Sequence, residues 1–157
     1  MRKTLWSLLA VLVLIALAIG LWSLRRDATT AARPATPLQI AADCDSARQP
    51  CVARDEELEL ELRLGPTVRP MEAFDIQLRS LRGGLDADTQ ISVAFQMRAM
   101  DMGLNRYRLE PAADGSWLGR AILPVCTTGR SDWVARIDIE QDGRRWTAEL
   151  PFTVVRP

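Results

Sequence analysis

The sequence predicts an all-β domain, an antiparallel immunoglobulin-like sandwich of about seven strands, preceded by one N-terminal transmembrane helix. Three observations carry this expectation. From Leu58 onward, apolar side chains recur at every second position in segment after segment, the period of a strand with one buried face. Turn residues interrupt those segments at short intervals. Past the N-terminal run, no stretch shows the 3.6-residue period of an amphipathic helix.

The first element is Leu5 to Leu24, uncharged and almost wholly apolar, with Trp6 and Trp22 near its ends. At 1.5 Å per residue about 20 residues cross a bilayer's hydrocarbon layer, and tryptophans favour its interfaces. A cleavable signal peptide is the competing reading, with Arg2-Lys3 as its basic start and Ala16-Leu17-Ala18 as its cleavage site. The apolar run continues past that site to Leu24 and ends at Arg25-Arg26, which favours an uncleaved anchor. Basic pairs at both ends leave the orientation undecided by charge. Asp27 to Pro37 is small, polar and proline-punctuated, as suits a tether. The expected organisation is an anchor with a short cytoplasmic tail over 1–26, a flexible tether over 27–43 and the sandwich over 44–157.

Within the sandwich, Cys44 and Cys51 bracket a polar loop containing Pro50. Leu58, Leu60, Leu62 and Leu64 then alternate with Glu57, Glu59, Glu61 and Arg63 until Gly65-Pro66 stops the run. Phe74, Ile76 and Leu78 form the next inward row, ended by Gly83-Gly84, and Ile91, Val93, Phe95 and Met97 the third. Tyr107 and Leu109 make a short strand closed by Pro111 and Asp114-Gly115, followed by Trp117, Ala121 and Leu123. Finally, Trp133 to Ile139 and Trp146 to Val154 flank Asp142-Gly143, a two-residue hairpin signal.

Charge and composition exclude several functions. Of the 20 basic residues four precede Asp27, whereas all 20 acidic residues follow Arg26, so residues 27–157 carry 16 against 20, a net −4. A nucleic-acid surface needs the opposite excess. With no histidine there is no ordinary serine or cysteine triad. Solvation in a turn accounts for Asp86 and Asp88, and Gly83-Gly84 is a turn rather than a phosphate loop. The chain reads as a non-enzyme.

Its chemistry lies in sulfur. Met97, Met100 and Met102 fall within six residues, and Met100-Asp101-Met102-Gly103 breaks the strand alternation. Met97 shares the inward phase of Phe95 and belongs to the core. Met100 and Met102 lie beyond it, as soft ligands in a loop. In an antiparallel sandwich alternate connections emerge at one pole, so the loop holding Cys126 lies at the same pole as that pair. Two thioethers and one thiolate make a three-coordinate Cu(I) site that suits neither Mg²⁺ nor Ca²⁺, with Asp101 as an outer carboxylate. The same parity puts Cys44 and Cys51 at the opposite pole unless the N-terminal segment doubles back. A Cys44–Cys51 disulfide is expected in an oxidising compartment, hence a periplasmic domain, with Cys51–Cys126 and Cys44–Cys126 as the alternative linkages.

Met100-Asp101-Met102-Gly103 with Asn105-Arg106-Tyr107, the Asp114-Gly115-Ser116-Trp117 turn, Leu123-Pro124 and the strand opening at Trp133 resemble the YtkA-like and FixH-like small immunoglobulin-fold domains. The resemblance covers about residues 55 to 155. It implies a membrane-tethered or exported protein of copper handling, a copper chaperone or an accessory of haem-copper oxidase assembly, whose partner is such an oxidase or another copper-handling protein. Only Met100 and Met102 carry over to its copper loop; Cys126 comes from the parity argument. The alternative is a metal-free immunoglobulin-like module that docks on a membrane complex.

Overall fold

The computed structural model describes residue 15 and residues 34–97, 105–125 and 130–154. The chain divides into two compact units, Met1–Pro34 and Ala35–Pro157. The expected anchor, apart from Ile15, lies outside the described residues, and among those residues no helix is long and apolar enough to cross a membrane.

The described residues of the second unit form ten strands: β1 (Thr36–Pro37), β2 (Gln39–Ile40), β3 (Cys51–Arg54), β4 (Glu59–Leu64), β5 (Ala73–Arg82), β6 (Gln90–Gln96), β7 (Arg106–Pro111), β8 (Ser116–Ile122), β9 (Asp132–Gln141) and β10 (Arg144–Thr153). The last seven are the segments that the alternation predicts. The first three are additions, two of them inside the stretch expected as tether. Strands of two to four residues are too short to display a period. They form because longer neighbours offer unpaired edge N–H and C=O groups.

The strands join into one sheet in the order β1-β10-β9-β6-β7-β8-β5-β4-β3-β2, where the sequence predicts two separate layers. Continuity runs through β7. It pairs with β6 from Arg106 to Leu109 and with β8 only at Glu110↔Leu118 and Pro111↔Trp117. At its start the Tyr107 hydroxyl donates to the Ile122 carbonyl at 2.7 Å and accepts from the Ile122 N–H at 3.2 Å. A side chain thus replaces the backbone ladder where β7 leaves one half of the sheet for the other.

The outer edges meet on one short segment. Thr36 and Pro37 run parallel to Trp146 and Thr147 of β10, while Gln39 and Ile40 pair antiparallel with Arg54 and Ala53 of β3. Between them Leu38 is buried and donates its N–H to the Thr147 carbonyl at 2.8 Å. Residues 36–40 therefore close the sheet into a nearly complete barrel. Among the ten strands every pairing except that of β1 is antiparallel.

Inward positions of β4 to β10 fill the interior, including Leu60, Leu62, Ile76, Leu78, Ile91, Val93, Leu109, Ile137 and Leu150. Gly119 faces Leu109 there, and a Cβ at Gly119 would come within 2.5 Å of Leu109 Cδ2. Toward one end the filling turns aromatic. Phe95 lies 5.4 Å from Phe74, 5.8 Å from Phe152 and 5.9 Å from Tyr107, centroid to centroid, and Trp133 stacks on Phe152 at 6.4 Å. Edge-on pairs of this kind favour a fixed geometry over a fluid one.

Strand direction defines the two poles. β4, β6, β8 and β10 run toward the aromatic end, and β3, β5, β7 and β9 run away from it. The distal pole carries the hairpins Asp114-Gly115 and Asp142-Gly143. The latter has φ of 52° and 71°, as its two-residue turn demands. In the former, the Ser116 hydroxyl and the Ser116 N–H both donate to Asp114 and hold its carboxyl below the usual value, with Arg79 adding a smaller attraction. A depressed carboxyl stabilises the fold above its ordinary pKa, and that contribution disappears as pH falls through the lowered one.

Candidate functional site

The aromatic pole holds the strand ends that bracket residues 98–104 and 126–129. Met97 follows β6 and is 2% exposed, in the core as its strand phase predicts. Met100, Asp101, Met102 and Cys126 lie outside the described residues, and the structure brings together the strand ends that bracket them. Met97 and Asn105 stand at the ends of β6 and β7, and Val125 and Arg130 lie between β8 and β9. In the sheet, β8 and β9 flank the β7-β6 pair. The ends bracketing 126–129 thus stand on either side of the ends bracketing 98–104.

The frame under these ends is well tied. The Asn105 carbonyl accepts from the Phe95 N–H at 2.9 Å, directly above the aromatic cluster. Arg130 Nε donates to Asp132 at 3.0 Å, and the Val154 N–H donates to the Ser131 carbonyl at 3.1 Å. The amide nitrogen Nδ2 of Asn105, a residue only 8% exposed, has no hydrogen-bond partner among the described residues.

Cys44 and Cys51 form a disulfide, with Cα atoms 5.6 Å apart. Its position corrects the parity expectation. Cys51 opens β3 and pairs with Leu62 near the end of β4, so the bridge lies at the pole where β6 ends and β7 begins and not at the opposite one. The physical reason is β3, an unforeseen strand that reverses the N-terminal segment once more before β4. Ser46 fastens the loop: its N–H donates to the Pro151 carbonyl at 3.2 Å, and its carbonyl accepts from the Leu64 N–H at 2.9 Å. Closing so short a loop stabilises mainly through the unfolded chain. Reduction, or replacement of both cysteines by serine, is expected to lower stability by roughly 2 to 3 kcal/mol, seen as a shift in denaturant midpoint with reductant.

One sulfur at this pole was not anticipated. Arg69–Glu72 form a turn closed by the Glu72 N–H on the Arg69 carbonyl at 3.4 Å, with Pro70 second and Met71 third. Met71 has φ of 62°, the conformation that a type II turn assigns to glycine. A non-glycine residue there costs about 1 kcal/mol. Burial does not offset it, because Met71 is 68% exposed. The Met71 N–H donates to the Leu123 carbonyl at 2.9 Å, and Pro70 bridges Leu123, so the turn is fixed to the end of β8. Ile122 and Val125, 47% and 57% exposed, stand on the same end. The sequence signal was the dipeptide Pro70-Met71, which alone fits either common turn type.

Elsewhere the surface offers little chemistry. A shallow cleft of about 530 Å³ crosses the outer face over Ser92 of β6. Arg106 in its wall pairs with Asp138 at 3.3 Å, and Asp138 is shared with Arg136. Among the described residues no three Cys, Asp or Glu side chains gather as a metal site. No family model, curated protein or solved structure matches the chain.

Proposed function

We propose that this chain is a Cu(I)-binding protein, held by its N-terminal helix in the inner membrane of a bacterium with the β-domain in the periplasm. It serves as a copper chaperone or an oxidase-assembly accessory and has no catalytic activity. In this reading the domain is a variant of the immunoglobulin-like fold of the YtkA-like and FixH-like proteins. Met100, Met102 and Cys126 are the ligands, and the metal is received and delivered by ligand exchange with another copper-handling protein.

The observation that supports the reading is the convergence of strand ends. The brackets of the methionine loop and of the cysteine loop occupy one pole, above a rigid aromatic floor. The Cys44–Cys51 bridge leaves Cys126 outside any intramolecular disulfide, as a thiolate ligand requires. Two thioethers and a thiolate suit the soft, low-coordinate Cu(I) ion and fit Zn²⁺ poorly.

The test is a Cu(I) titration of the full chain in detergent under anaerobic, reducing conditions. The expected result is about one equivalent bound, with X-ray absorption showing only sulfur neighbours. Absence of binding favours the second reading, a metal-free module docking on a membrane complex. What supports that alternative is the exposed apolar side chains Leu118, Ile122 and Val125 along and beyond β8, with Arg120 between the first two, since large exposed apolar side chains are the material of contact sites.

A further inference from the structure

We propose that the edge of β8 from Leu118 to Ile122 is a docking site for an extended segment of another protein, one with an acidic side chain between two apolar ones, and that the Tyr107 hydroxyl occupies the place of that segment's backbone. The site uses none of the proposed copper ligands. β7 and β8 pair only at Glu110↔Leu118 and Pro111↔Trp117. Continued in that register, the ladder would set Arg108 opposite Arg120 and Arg106 opposite Ile122, and like charges directly across two strands repel. The strands part there instead, and among the described residues no strand pairs with Ile122 on the side toward β7. One hydroxyl serves both of its backbone groups, donating to the Ile122 carbonyl at 2.7 Å and accepting from the Ile122 N–H at 3.2 Å. Those two bonds are what one residue of an adjoining antiparallel strand supplies in a hydrogen-bonded pair.

Backbone alternation extends this edge. Ile122 turns its N–H and C=O toward β7, and so does Arg120 two residues before it, whereas the Leu123 carbonyl turns the other way and accepts from the Met71 N–H. The outward side chains follow the same period: Leu118 and Ile122, 44% and 47% exposed, flank Arg120. Open edge groups take up an extended chain as an added strand, and the side chains beside them select its sequence. A row that reads apolar, cationic, apolar is complemented by one that reads apolar, anionic, apolar. Arg108, which faces Arg120 in the interrupted register, adds a second cation on the β7 side, while Arg106 is drawn toward Ser92 of β6 and Asp138 of β9. Arg120 meets Asp75 at 3.3 Å and Arg108 meets Glu110 at 3.9 Å, all four side chains being more than half exposed. Pairs so exposed contribute little in water, so an incoming carboxylate exchanges with them at small cost.

The experiment titrates the full chain, ¹⁵N-labelled in detergent, with a capped seven-residue peptide that carries valine, aspartate and valine at its second, fourth and sixth positions and threonine elsewhere. The expected result is saturable binding that shifts the Arg120 and Ile122 amide resonances, and lysine in place of the aspartate should weaken it by at least about tenfold. Arg120→Glu, an exposed change outside the core, should reverse the preference, so that the lysine peptide binds the better. Tyr107→Phe keeps the ring and removes the hydroxyl; it leaves the Ile122 groups to the peptide and should tighten binding several-fold. Equal binding of the two peptides, a preference that survives Arg120→Glu, shifts confined to other strands, or no binding overturns the proposal. A folded Tyr107→Phe variant that binds no more tightly than the parent overturns the role given to the hydroxyl. None of these outcomes bears on the Cu(I) titration, so docking and copper binding fail separately.

Discussion

Phe95→Ala is expected to remove about 3 to 5 kcal/mol of stability, the range for truncating a buried phenylalanine. Phe95 is 1% exposed and its ring contacts Phe74, Tyr107 and Phe152 together. Those three partners come from β5, β7 and β10, on both sides of the sheet's turn at β7. The cavity would therefore open between its two halves, where neither half alone is able to close it. A domain of this size has about 5 to 15 kcal/mol in total, so the loss should appear as a fall of about 10 °C or more in melting temperature, followed by tryptophan fluorescence. Phe95→Leu should cost clearly less, because it retains most of the volume. A loss under about 1 kcal/mol for Phe95→Ala would mean that the rings are loosely packed and that the floor under the loop pole is not rigid.

Strand phase was legible wherever the run was long enough to show it. Leu58 to Leu64 alternate with charged residues and appear as β4, and the Asp142-Gly143 turn appears with positive φ at both residues between the two ten-residue strands β9 and β10. Met97 is buried because it continues the inward row of Phe95. The Cys44–Cys51 pairing was legible from spacing and a proline-containing loop.

What was not legible depends on pairing across the chain. β1 and β2 have two residues each, and their partners in β10 and β3 supply the order that their own sequence lacks. The unseen β3 placed the disulfide at the wrong pole in the parity argument, since one additional reversal exchanges the two ends. The join between halves of the sheet rests on the Tyr107 hydroxyl replacing a backbone ladder, which no hydrophobic period encodes. Met71 was hidden for a local reason: Pro70 fixes its own φ and leaves that of the next residue open, so the left-handed backbone is visible only in three dimensions.

The methionines themselves provide the sharpest separation of core from ligand. Met97→Ala should cost roughly 2 to 5 kcal/mol, because a residue 2% exposed at the end of β6 leaves a cavity beside Phe95 that the hydrogen-bonded strand ends cannot collapse. Met97→Leu, nearly equal in volume and polarity, should cost less than about 1.5 kcal/mol and leave Cu(I) affinity unchanged. The double replacement Met100→Leu, Met102→Leu should do the reverse. With both thioethers in the ligand set, Cu(I) affinity falls sharply while the denaturant midpoint hardly moves, because leucine preserves bulk and removes only the soft donor. The two assays thus read different physical quantities, packing in one and ligand chemistry in the other. Were Met97→Leu to abolish binding and the double variant to bind normally, the donor set would have to be sought away from residues 98–104.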